Sequence, residues 1–220
     1  MIKAIIFDLD GTLLNTAPDI QFVLNGALQH FGLPPVPIEK LHAMLGDGAY
    51  NLVKRAVPQD KQQLVQAVYE YYCPAQAAYD NRLTCLYPGE DEALTRLKAA
   101  GIKLCVLSNK PQAATRNVCA QKLGKYGFDI VLGQGQFPLK PDPAGTEHII
   151  KLLGIQKSEC IFTGDGETDY LTAKNAGIEC VSVLWGFRTR EQLKSYGASL
   201  FAEDYTNYLQ ILHEKFSLRA

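Results

Sequence analysis

The sequence lacks the residue patterns that mark a zinc site or a disulfide framework. Its six cysteines are widely spaced and include no C-x-x-C pair, and its four histidines include no H-x-x-x-H pair. Structural zinc sites need such closely spaced ligands, and disulfide frameworks belong to small, cysteine-dense secreted domains. Cys105 and Cys160 fall within apolar runs, where a free thiol packs as a small hydrophobic group. The sequence therefore favours reduced cysteines, no zinc and a cytoplasmic location.

Also missing are long apolar runs and an excess of charge of either sign. No run approaches the roughly 20 apolar residues that a membrane-spanning helix needs, and the apolar stretch 2–7 stops at Asp8, too early for a signal peptide. With 22 basic and 23 acidic residues, the formal net charge is -1, so there is no surplus of positive charge for nucleic-acid phosphates. We therefore expect neither a membrane nor a nucleic acid as partner, whereas a small anionic substrate needs only a few local cations.

What the sequence does contain is an alternation of short apolar runs with helical patterns. Runs rich in β-branched and apolar residues predict strands at 2–7, 103–107, 130–132, 160–163, 179–184 and 199–202. Such alternation is typical of an α/β fold with a doubly wound parallel sheet and helices on both of its faces. A chain of 220 residues suffices for one such domain and a smaller insertion.

The stretch 16–82 differs from the rest, because apolar residues recur there only at helical spacing. The pattern from Ile20 to Phe31 predicts a first helix, and three prolines between residues 34 and 37 then break the chain. We therefore expect a small helical domain at 16–82, inserted after the first strand, and an α/β core formed by residues 1–15 and 83–220.

Two aspartates, Asp8 and Asp10, follow the first predicted strand in the motif D-L-D-G-T. Because one residue separates them in extended chain, their carboxylates lie on the same side, where repulsion is costly unless a cation or a proton relieves it. Mg²⁺ prefers carboxylate and phosphate oxygens as ligands. The pair therefore indicates a magnesium site; a helix cap or a solvated turn is the alternative interpretation.

Polar residues also follow the strand at 103–107, in the motif Ser108-Asn109-Lys110-Pro111. Pro111 suits the first position of a helix. Ser108 and Asn109 then lie in front of a helix N-terminus, where backbone N–H groups bind anions. Both are also ordinary loop residues, so the motif gains weight only beside the others.

A lysine precedes two closely spaced prolines in Lys140-Pro141-Asp142-Pro143. Residues before proline favour extended conformations, and Asp142 suits the capping of a helix that begins with Pro143. Lys140 is thereby held on a stiff stretch from which its ammonium group could reach the sheet edge. Taken alone, an ordinary surface lysine is the commoner interpretation.

Two further aspartates follow the strand at 160–163. Asp165 falls where this strand turns into a helix, and Asp169 lies one helical turn further on, so both could face one site. Two more acids at a strand end suggest a site for a hard cation. The alternative is that the helix dipole favours acids at its N-terminus.

Taken together, the four motifs resemble the core of the haloacid dehalogenase superfamily, which combines D-x-D-G-T, a strand-end Ser or Thr, a Lys and a G-D-x-x-x-D-type acidic motif. The resemblance spans essentially the whole chain. It implies a Rossmann-like core, with the helical stretch in the position of the superfamily's small cap. The segments 13–19, 87–89, 108–111 and 140–143 resemble the phosphoglycolate phosphatase branch.

This resemblance implies Mg²⁺-dependent hydrolysis of a small phosphomonoester, with 2-phosphoglycolate as the first candidate. Asp8 would attack phosphorus and form an aspartyl-phosphate, while Asp10 would act as general acid and then as general base. Mg²⁺ would be bound by Asp8, the carbonyl of Asp10 and Asp165. The remaining implied roles are phosphoryl binding for Thr12, Ser108, Asn109 and Lys140, and orientation of the metal ligands for Asp169 and Glu167.

Substrate choice is expected to depend on the helical insertion, which could close over the strand ends. The turn Gly46-Asp47-Gly48 is the candidate for the part that reaches the site, and Lys54 and Arg55 are candidates for binding a substrate carboxylate. The alternative is that both glycines merely end a helix and that both cations are solvated.

Other functions remain open on the same core motifs. A sugar phosphomutase of the β-phosphoglucomutase type is the principal one, and a pyrophosphatase or a nucleotidase is a further one. Asp10 argues against a dehalogenase, which needs no acid/base at that position. The presence of Asp8, Asp10, Lys140 and Asp165 together argues against a non-catalytic binding protein. Both a monomer and a homodimer are compatible with the sequence.

Overall fold

The computed structural model describes residues 1–218 and contains eight strands within them. In chain order they are β1 (Ala4–Phe7), β2 (Leu14–Asn15), β3 (Cys85–Leu86), β4 (Lys103–Pro111), β5 (Ile130–Gln134), β6 (Cys160–Gly164), β7 (Glu179–Val183) and β8 (Phe201–Ala202). Six of them form one sheet in the order β5-β4-β1-β6-β7-β8, in which every neighbouring pair is parallel. The other two, β2 and β3, form a separate antiparallel pair.

The same residues contain ten α-helices and four short 3-10 helices. The α-helices are α1 (Ala17–His30), α2 (Ile38–Leu41), α3 (Ala49–Ala56), α4 (Val65–Ala78), α5 (Glu90–Ala99), α6 (Gln112–Leu123), α7 (Ala144–Leu153), α8 (Glu167–Ala176), α9 (Arg190–Ser195) and α10 (Tyr205–Phe216). A helix long and apolar enough to cross a membrane does not occur among residues 1–218.

The central strand β1 shows how the sheet is buried on both faces. Successive side chains of a strand point to opposite faces. Ile5 and Phe7 pack into the apolar cluster to which α5 and α10 contribute, whereas Ala4 and Ile6 pack into the cluster to which α7 and α8 contribute. Helices therefore cover both faces, which confirms the predicted doubly wound α/β fold. The strand ends differ from the predicted ones by a few residues, as such boundaries usually do.

Between β2 and β3 the chain contains helices joined by loops and no strand, as the apolar spacing predicted; we call residues 16–82 the helical insertion. Its buried apolar side chains form a cluster of their own, drawn from residues between Ala17 and Tyr72. The β2–β3 pair, which lies where the chain enters and leaves this segment, was not predicted. Two residues per strand are too few to produce a periodic pattern.

Asp19, in the first turn of α1, ties the two ends of the helical insertion together. Its carboxylate accepts hydrogen bonds from the backbone N–H groups of Leu83 and Thr84, at 3.1 and 2.6 Å, and from the Thr84 hydroxyl at 2.6 Å. Asp19 is 4% exposed, so water has little access to replace these bonds. These hydrogen bonds, which we call the Asp19 clamp, fix the point at which the chain enters and leaves the insertion.

A buried carboxyl group, Glu90, lies at the start of α5. Its Oε2 accepts a hydrogen bond from the N–H of Tyr87 at 3.0 Å, while its Oε1 has no hydrogen-bond partner among residues 1–218. Burial raises the pKa of Glu90 from its ordinary value of 4.5 to about 9. The folded protein therefore holds a proton at neutral pH that the unfolded chain releases.

We expect Asp19→Ala to lower the free energy of unfolding by roughly 2–4 kcal/mol, since hydrogen bonds to a charged group are each worth about 1.5–3 kcal/mol. The substitution leaves the N–H groups of Leu83 and Thr84 without their acceptor. Asp19→Asn, which keeps one carbonyl oxygen, should lose less. Urea unfolding of the three proteins measures the difference, and equal stability of Asp19→Ala and the parent protein would contradict the clamp.

Glu90 should give the protein a pH-dependent stability with a defined sign. Because its folded-state pKa lies above its unfolded one, its contribution is complete below pH 4.5 and is lost as the pH rises towards 9, by up to about 1.4 kcal/mol per pH unit. Glu90→Gln should flatten this slope, because the amide is neutral at every pH. Denaturant unfolding of both proteins at a series of pH values tests this, and the same slope in both would exclude Glu90 as its source.

Candidate active site

The four sequence motifs meet at the carboxyl edge of the sheet. β1 lies between β4 and β6, and the chain order changes direction there, which is where α/β sheets bind ligands. Asp8 follows β1, Asp165 follows β6, and Ser108 lies near the end of β4. The parallel strands thus bring together residues that are far apart in sequence.

Three aspartates form a buried cluster at this edge. Carboxylate oxygens of Asp8, Asp165 and Asp169 all lie within 4.8 Å of one another, and these residues are 8%, 3% and 1% exposed. A set of carboxylate oxygens at this spacing is the donor type that a hard cation such as Mg²⁺ or Ca²⁺ takes. Asp169, expected to orient the metal ligands, stands inside the cluster itself.

Glycines hold the space in which these aspartates lie. A Cβ atom on Gly11 would lie 2.5 Å from Oδ2 of Asp165, and one on Gly186 would lie 2.3 Å from its Cβ. A Cβ atom on Gly164 would lie 2.3 Å from the Cβ of Asp169. Gly11 also has a φ of 89°, a conformation that residues with side chains rarely adopt. The close approach of the carboxylates therefore depends on glycine at these positions.

Lys140 supplies positive charge to the cluster. Its Nζ lies 2.8 Å from Oδ1 of Asp8 and 2.6 Å from Oδ1 of Asp169. Burial alone would lower the pKa of Lys140, but Asp169 and Asp8 outweigh burial and raise it. The lysine is 4% exposed and charged, so the interpretation as a surface lysine does not apply.

The negative charge of the three carboxylates is nevertheless not balanced by Lys140 alone. Burial, and then the neighbouring Asp169, raise the pKa of Asp165 to about 7. Burial and Asp169 also raise the pKa of Asp8, and Lys140 acts in the opposite direction. One ammonium group thus faces three carboxylates, and a divalent cation among them would remove the repulsion.

Thr12 and Asn109, expected to bind the phosphoryl group, are engaged elsewhere. The Thr12 hydroxyl donates to Oδ1 of Asp165 at 2.9 Å. Oδ1 of Asn109 accepts from the backbone N–H of Lys140 at 2.8 Å, and its Nδ2 donates to the Lys140 carbonyl at 3.1 Å and to the Gly46 carbonyl at 2.9 Å. Thr12 therefore orients Asp165, and Asn109 fixes the backbone that carries Lys140 while also lining the cavity with Asp8; phosphoryl binding by either stays a prediction.

Ser108 lies 4% exposed in the wall of a cavity that it shares with Asp8. Its Oγ accepts from the N–H of Lys110 at 3.2 Å, which leaves the hydroxyl hydrogen for another acceptor.

The following helix α6 begins one residue after Pro111, and α7 likewise begins one residue after Pro143. Both prolines therefore precede the helices that they were expected to start.

Asp10 stands apart from the acidic cluster and faces the helical insertion. Its Oδ1 accepts a hydrogen bond from the Thr16 hydroxyl at 2.6 Å, and Nζ of Lys110 lies 3.0 Å from the same oxygen. Asp8 and Asp10 line the same cavity, so a phosphate ester bound against Asp8 would also adjoin Asp10. Sequence reasoning quoted Lys110 within a motif but gave it no role.

The insertion closes the cavity with some of the expected residues. Gly46 and Gly48 line it together with Asp8 and Asp10. Lys54 and Arg55 instead line a separate surface pocket, and the Arg55 guanidinium pairs with the Asp47 carboxylate. This corrects the expectation that Lys54 and Arg55 reach a substrate. Their helix α3 buries Leu52, Val53 and Ala56, which leaves both cations on its outer face.

Glu167 also has a partner outside the cluster. Its Oε2 accepts a hydrogen bond from Nε of Arg188 at 2.8 Å, and the two guanidinium nitrogens of Arg188 donate to the carbonyls of His42 and Leu45, at 2.9 and 2.7 Å. In the structure, Glu167 therefore supports the arginine that attaches the insertion to the core; its predicted role in orienting metal ligands stays a prediction. Sequence reasoning missed Arg188 because it lies in a loop without a periodic pattern.

The chain resembles curated bacterial phosphoglycolate phosphatases. It is 31% identical to Phosphoglycolate phosphatase 1 of Pseudomonas aeruginosa over 219 residues, covering 94% of this chain and 78% of that protein. It is also 31% identical to the phosphoglycolate phosphatase of Vibrio parahaemolyticus, covering 96% of each chain. Among solved structures, a candidate phosphoglycolate phosphatase from Lactobacillus delbrueckii subsp. bulgaricus superposes with a TM-score of 0.87 at 30% identity, covering 95% of this chain and 97% of that chain.

These relatives confirm the prediction of a phosphatase-type enzyme and the resemblance to the phosphoglycolate phosphatase branch. The model of the haloacid dehalogenase-like hydrolase family matches residues 2–177, a range that contains all four sequence motifs. With the acidic cluster and Lys140 placed at the sheet edge, the chain therefore belongs to the haloacid dehalogenase-like hydrolase family.

Proposed function

We propose that this hydrolase is a Mg²⁺-dependent phosphatase that cleaves a small phosphomonoester, first of all 2-phosphoglycolate, through an aspartyl-phosphate on Asp8. The observation that carries the proposal is the cluster of Asp8, Asp165 and Asp169 around Lys140 at the carboxyl edge of the sheet. The substrate is suggested by the names of the curated relatives.

The acidic cluster fits a magnesium ion by its chemistry. Asp8 and Asp165 would hold it, together with the backbone carbonyl of Asp10, and Asp169 is close enough to contribute. When bound, the ion supplies positive charge that offsets the repulsion between Asp8 and an incoming phosphate dianion. The donor set contains oxygen only, as Mg²⁺ prefers.

Asp8 is suited to be the nucleophile because it is the member of the cluster that also lines the cavity. One of its oxygens would attack phosphorus as the leaving-group oxygen departs. Lys140, in contact with Asp8 and Asp169, places positive charge beside the transferring group, which is where phosphoryl transfer needs it. The Ser108 hydroxyl would donate to a phosphoryl oxygen.

Asp10 is suited to proton transfer because it lies outside the acidic cluster and on the cavity wall. It would protonate the departing alkoxide and then take a proton from the water that hydrolyses the aspartyl-phosphate. Thr16 and Lys110 hold its carboxylate in place.

The helical insertion would act as a cap that excludes water from the cavity. It would then form the smaller of two domains, residues 16–82, over a core made of residues 1–15 and 83–220. Two attachments between them support this division of roles: Asn109 binds the Gly46 carbonyl, and Arg188 binds two carbonyls of the insertion. Gly46 and Gly48 carry no side chain that could block the cavity.

The proposed activity is tested by phosphate release from a panel of esters, with Mg²⁺ and with a chelator. The panel contains 2-phosphoglycolate, β-glucose 1-phosphate, pyrophosphate and nucleoside monophosphates. We expect Mg²⁺-dependent release that strongly favours 2-phosphoglycolate. If no ester releases phosphate and β-glucose 1-phosphate is converted to glucose 6-phosphate, the protein is a mutase and the proposal of a phosphatase is wrong.

Asp8→Asn should abolish turnover while leaving the fold intact. The amide is a poor nucleophile, so we expect kcat to fall by at least about 10⁴-fold, the scale on which loss of a nucleophile is felt. Thermal melting and circular dichroism show whether the variant is folded. Substantial residual turnover in a folded Asp8→Asn protein would overturn the nucleophile assignment.

Magnesium should stabilise the folded protein through the acidic cluster. At a concentration 100 times the dissociation constant, the expected gain is about 2.7 kcal/mol, measured as a rise in melting temperature when Mg²⁺ is added. Asp165→Asn should lose most of this rise. Glu167→Gln is the matched control, since Glu167 pairs with Arg188, and it should keep the rise. An undiminished Mg²⁺ effect in Asp165→Asn would contradict the metal site.

A further inference from the structure

The cavity between the sheet and the helical insertion contains polar groups besides the acidic cluster. Lys110, at the end of β4, lines it together with Tyr72 and Gln76 of α4. Tyr72 and Gln76 are four residues apart, so they share one face of their helix. The insertion's other contributions to the cavity wall are apolar side chains and two glycines. These three residues are therefore the ones that could recognise a polar group beyond the phosphate.

Two buried atoms of this group are poorly satisfied within residues 1–218. The Tyr72 hydroxyl and Oε1 of Gln76 are buried and make no well-aligned hydrogen bond among residues 1–218, and the neighbour that the Tyr72 hydroxyl meets is the Gln76 side chain itself. An unpaired buried polar atom costs about 1–3 kcal/mol, so a ligand that supplies the missing bond gains affinity. Burial and the nearby Asp10 raise the pKa of Tyr72 well above its ordinary value, and its hydroxyl therefore remains a donor.

Lys110 is a second buried cation, separate from Lys140. Its side chain is 4% exposed, and its Nζ lies 3.0 and 3.3 Å from the two carboxylate oxygens of Asp10. An ammonium group has three N–H donors, so at least one remains for a ligand in the cavity. Lys110 thus places a positive charge on the Asp10 side of the site, where the leaving group has to lie.

We propose that Lys110 and Tyr72 bind a carboxylate on the leaving group of the phosphate ester, with the Gln76 amide beside them. This inference rests on the proposed function. Because Asp10 has to reach the ester oxygen and Lys110 adjoins Asp10, Lys110 lies near atoms one or two bonds beyond that oxygen. A carboxylate attached to the carbon that bears the ester oxygen is the group that such a site selects. Within the proposed function, this subsite would select 2-phosphoglycolate over esters whose leaving group carries no carboxylate.

The rest of the cavity wall supports a small substrate. Ile20, Leu45 and Leu52 face it with apolar side chains, which offer nothing to the hydroxyl groups of a sugar. Burying such hydroxyl groups against apolar walls without hydrogen bonds is unfavourable. A single carboxylate group, in contrast, needs only the donors that Lys110 and Tyr72 provide. Binding of the substrate carboxylate, first expected of Lys54 and Arg55, is thus assigned to residues inside the cavity.

The test compares two esters that differ only in the carboxylate. They are 2-phosphoglycolate and 2-hydroxyethyl phosphate, in which a neutral CH₂OH group replaces the carboxylate. The readout is the ratio of kcat/KM for the first ester to that for the second. A ratio is needed because Lys110 also contacts Asp10, and a loss of Asp10 positioning alone would slow both esters equally.

We expect Lys110→Met to lower this ratio by about 10- to 100-fold, as loss of a charge-assisted hydrogen bond does, and Lys110→Arg to restore part of it. Tyr72→Phe should lower it by about 3- to 10-fold, mainly through KM. Matched controls are Lys54→Met and Tyr71→Phe. Lys54 lines a different pocket, and Tyr71 is 43% exposed. Both should leave the ratio unchanged.

Binding of the same two esters to the Asp8→Asn protein, measured by calorimetry, separates this inference from the proposed function. Weaker discrimination on adding Lys110→Met supports the carboxylate subsite even if the parent enzyme hydrolyses neither ester. If Lys110→Met changes neither the kcat/KM ratio nor the binding preference, the proposed carboxylate subsite is wrong, even if the enzyme hydrolyses 2-phosphoglycolate fast. If the ratio falls in Lys54→Met and not in Lys110→Met, the substrate carboxylate binds at the outer face of α3 and the proposed subsite is wrong.

Discussion

The burial of three carboxylates around one ammonium group is the constraint on which the rest of this structure depends. Asp8, Asp165 and Asp169 lie within 4.8 Å of one another, and Lys140 contacts two of them. Like charges this close and this poorly hydrated repel strongly. Glycines leave room for the carboxylates, and Asn109 fixes the backbone of the lysine. The site is therefore held in place before any ligand arrives.

A second pair of charges divides the cavity into two ends. Asp10 and Lys110 form an ion pair on the side of the helical insertion, whereas Asp8 and Lys140 form one beside the acidic cluster. In the proposed mechanism, phosphoryl transfer at the Asp8 end and proton transfer at the Asp10 end require this separation, since Asp8 would attack phosphorus while Asp10 would serve the leaving group. The insertion closes over both ends and is attached to the core through Arg188.

Sequence reasoning placed the residues at the strand ends correctly because parallel strands end at one edge of a sheet. Asp8 and Asp165 could therefore be brought together from local patterns alone. Contacts across the sheet and the insertion depend on long-range packing, and the partners of Asn109, Lys110 and Arg188 were accordingly missed. The prediction for Lys54 failed for a different reason. Helical spacing predicted a helix there, but the same spacing places Lys54 on the face of α3 opposite its buried side chains, and the prediction did not take that face into account.

In the proposed mechanism, Asp8 carries the phosphoryl group during turnover. This step is tested most directly by mixing the enzyme with 2-phosphoglycolate and Mg²⁺, quenching with acid within the first turnover, and locating phosphorylation by peptide mass spectrometry. We expect a phosphorylated peptide modified at Asp8, which disappears as the substrate is exhausted. Rapid phosphate release without any phosphorylated peptide, or with the phosphoryl group on another residue, would contradict it.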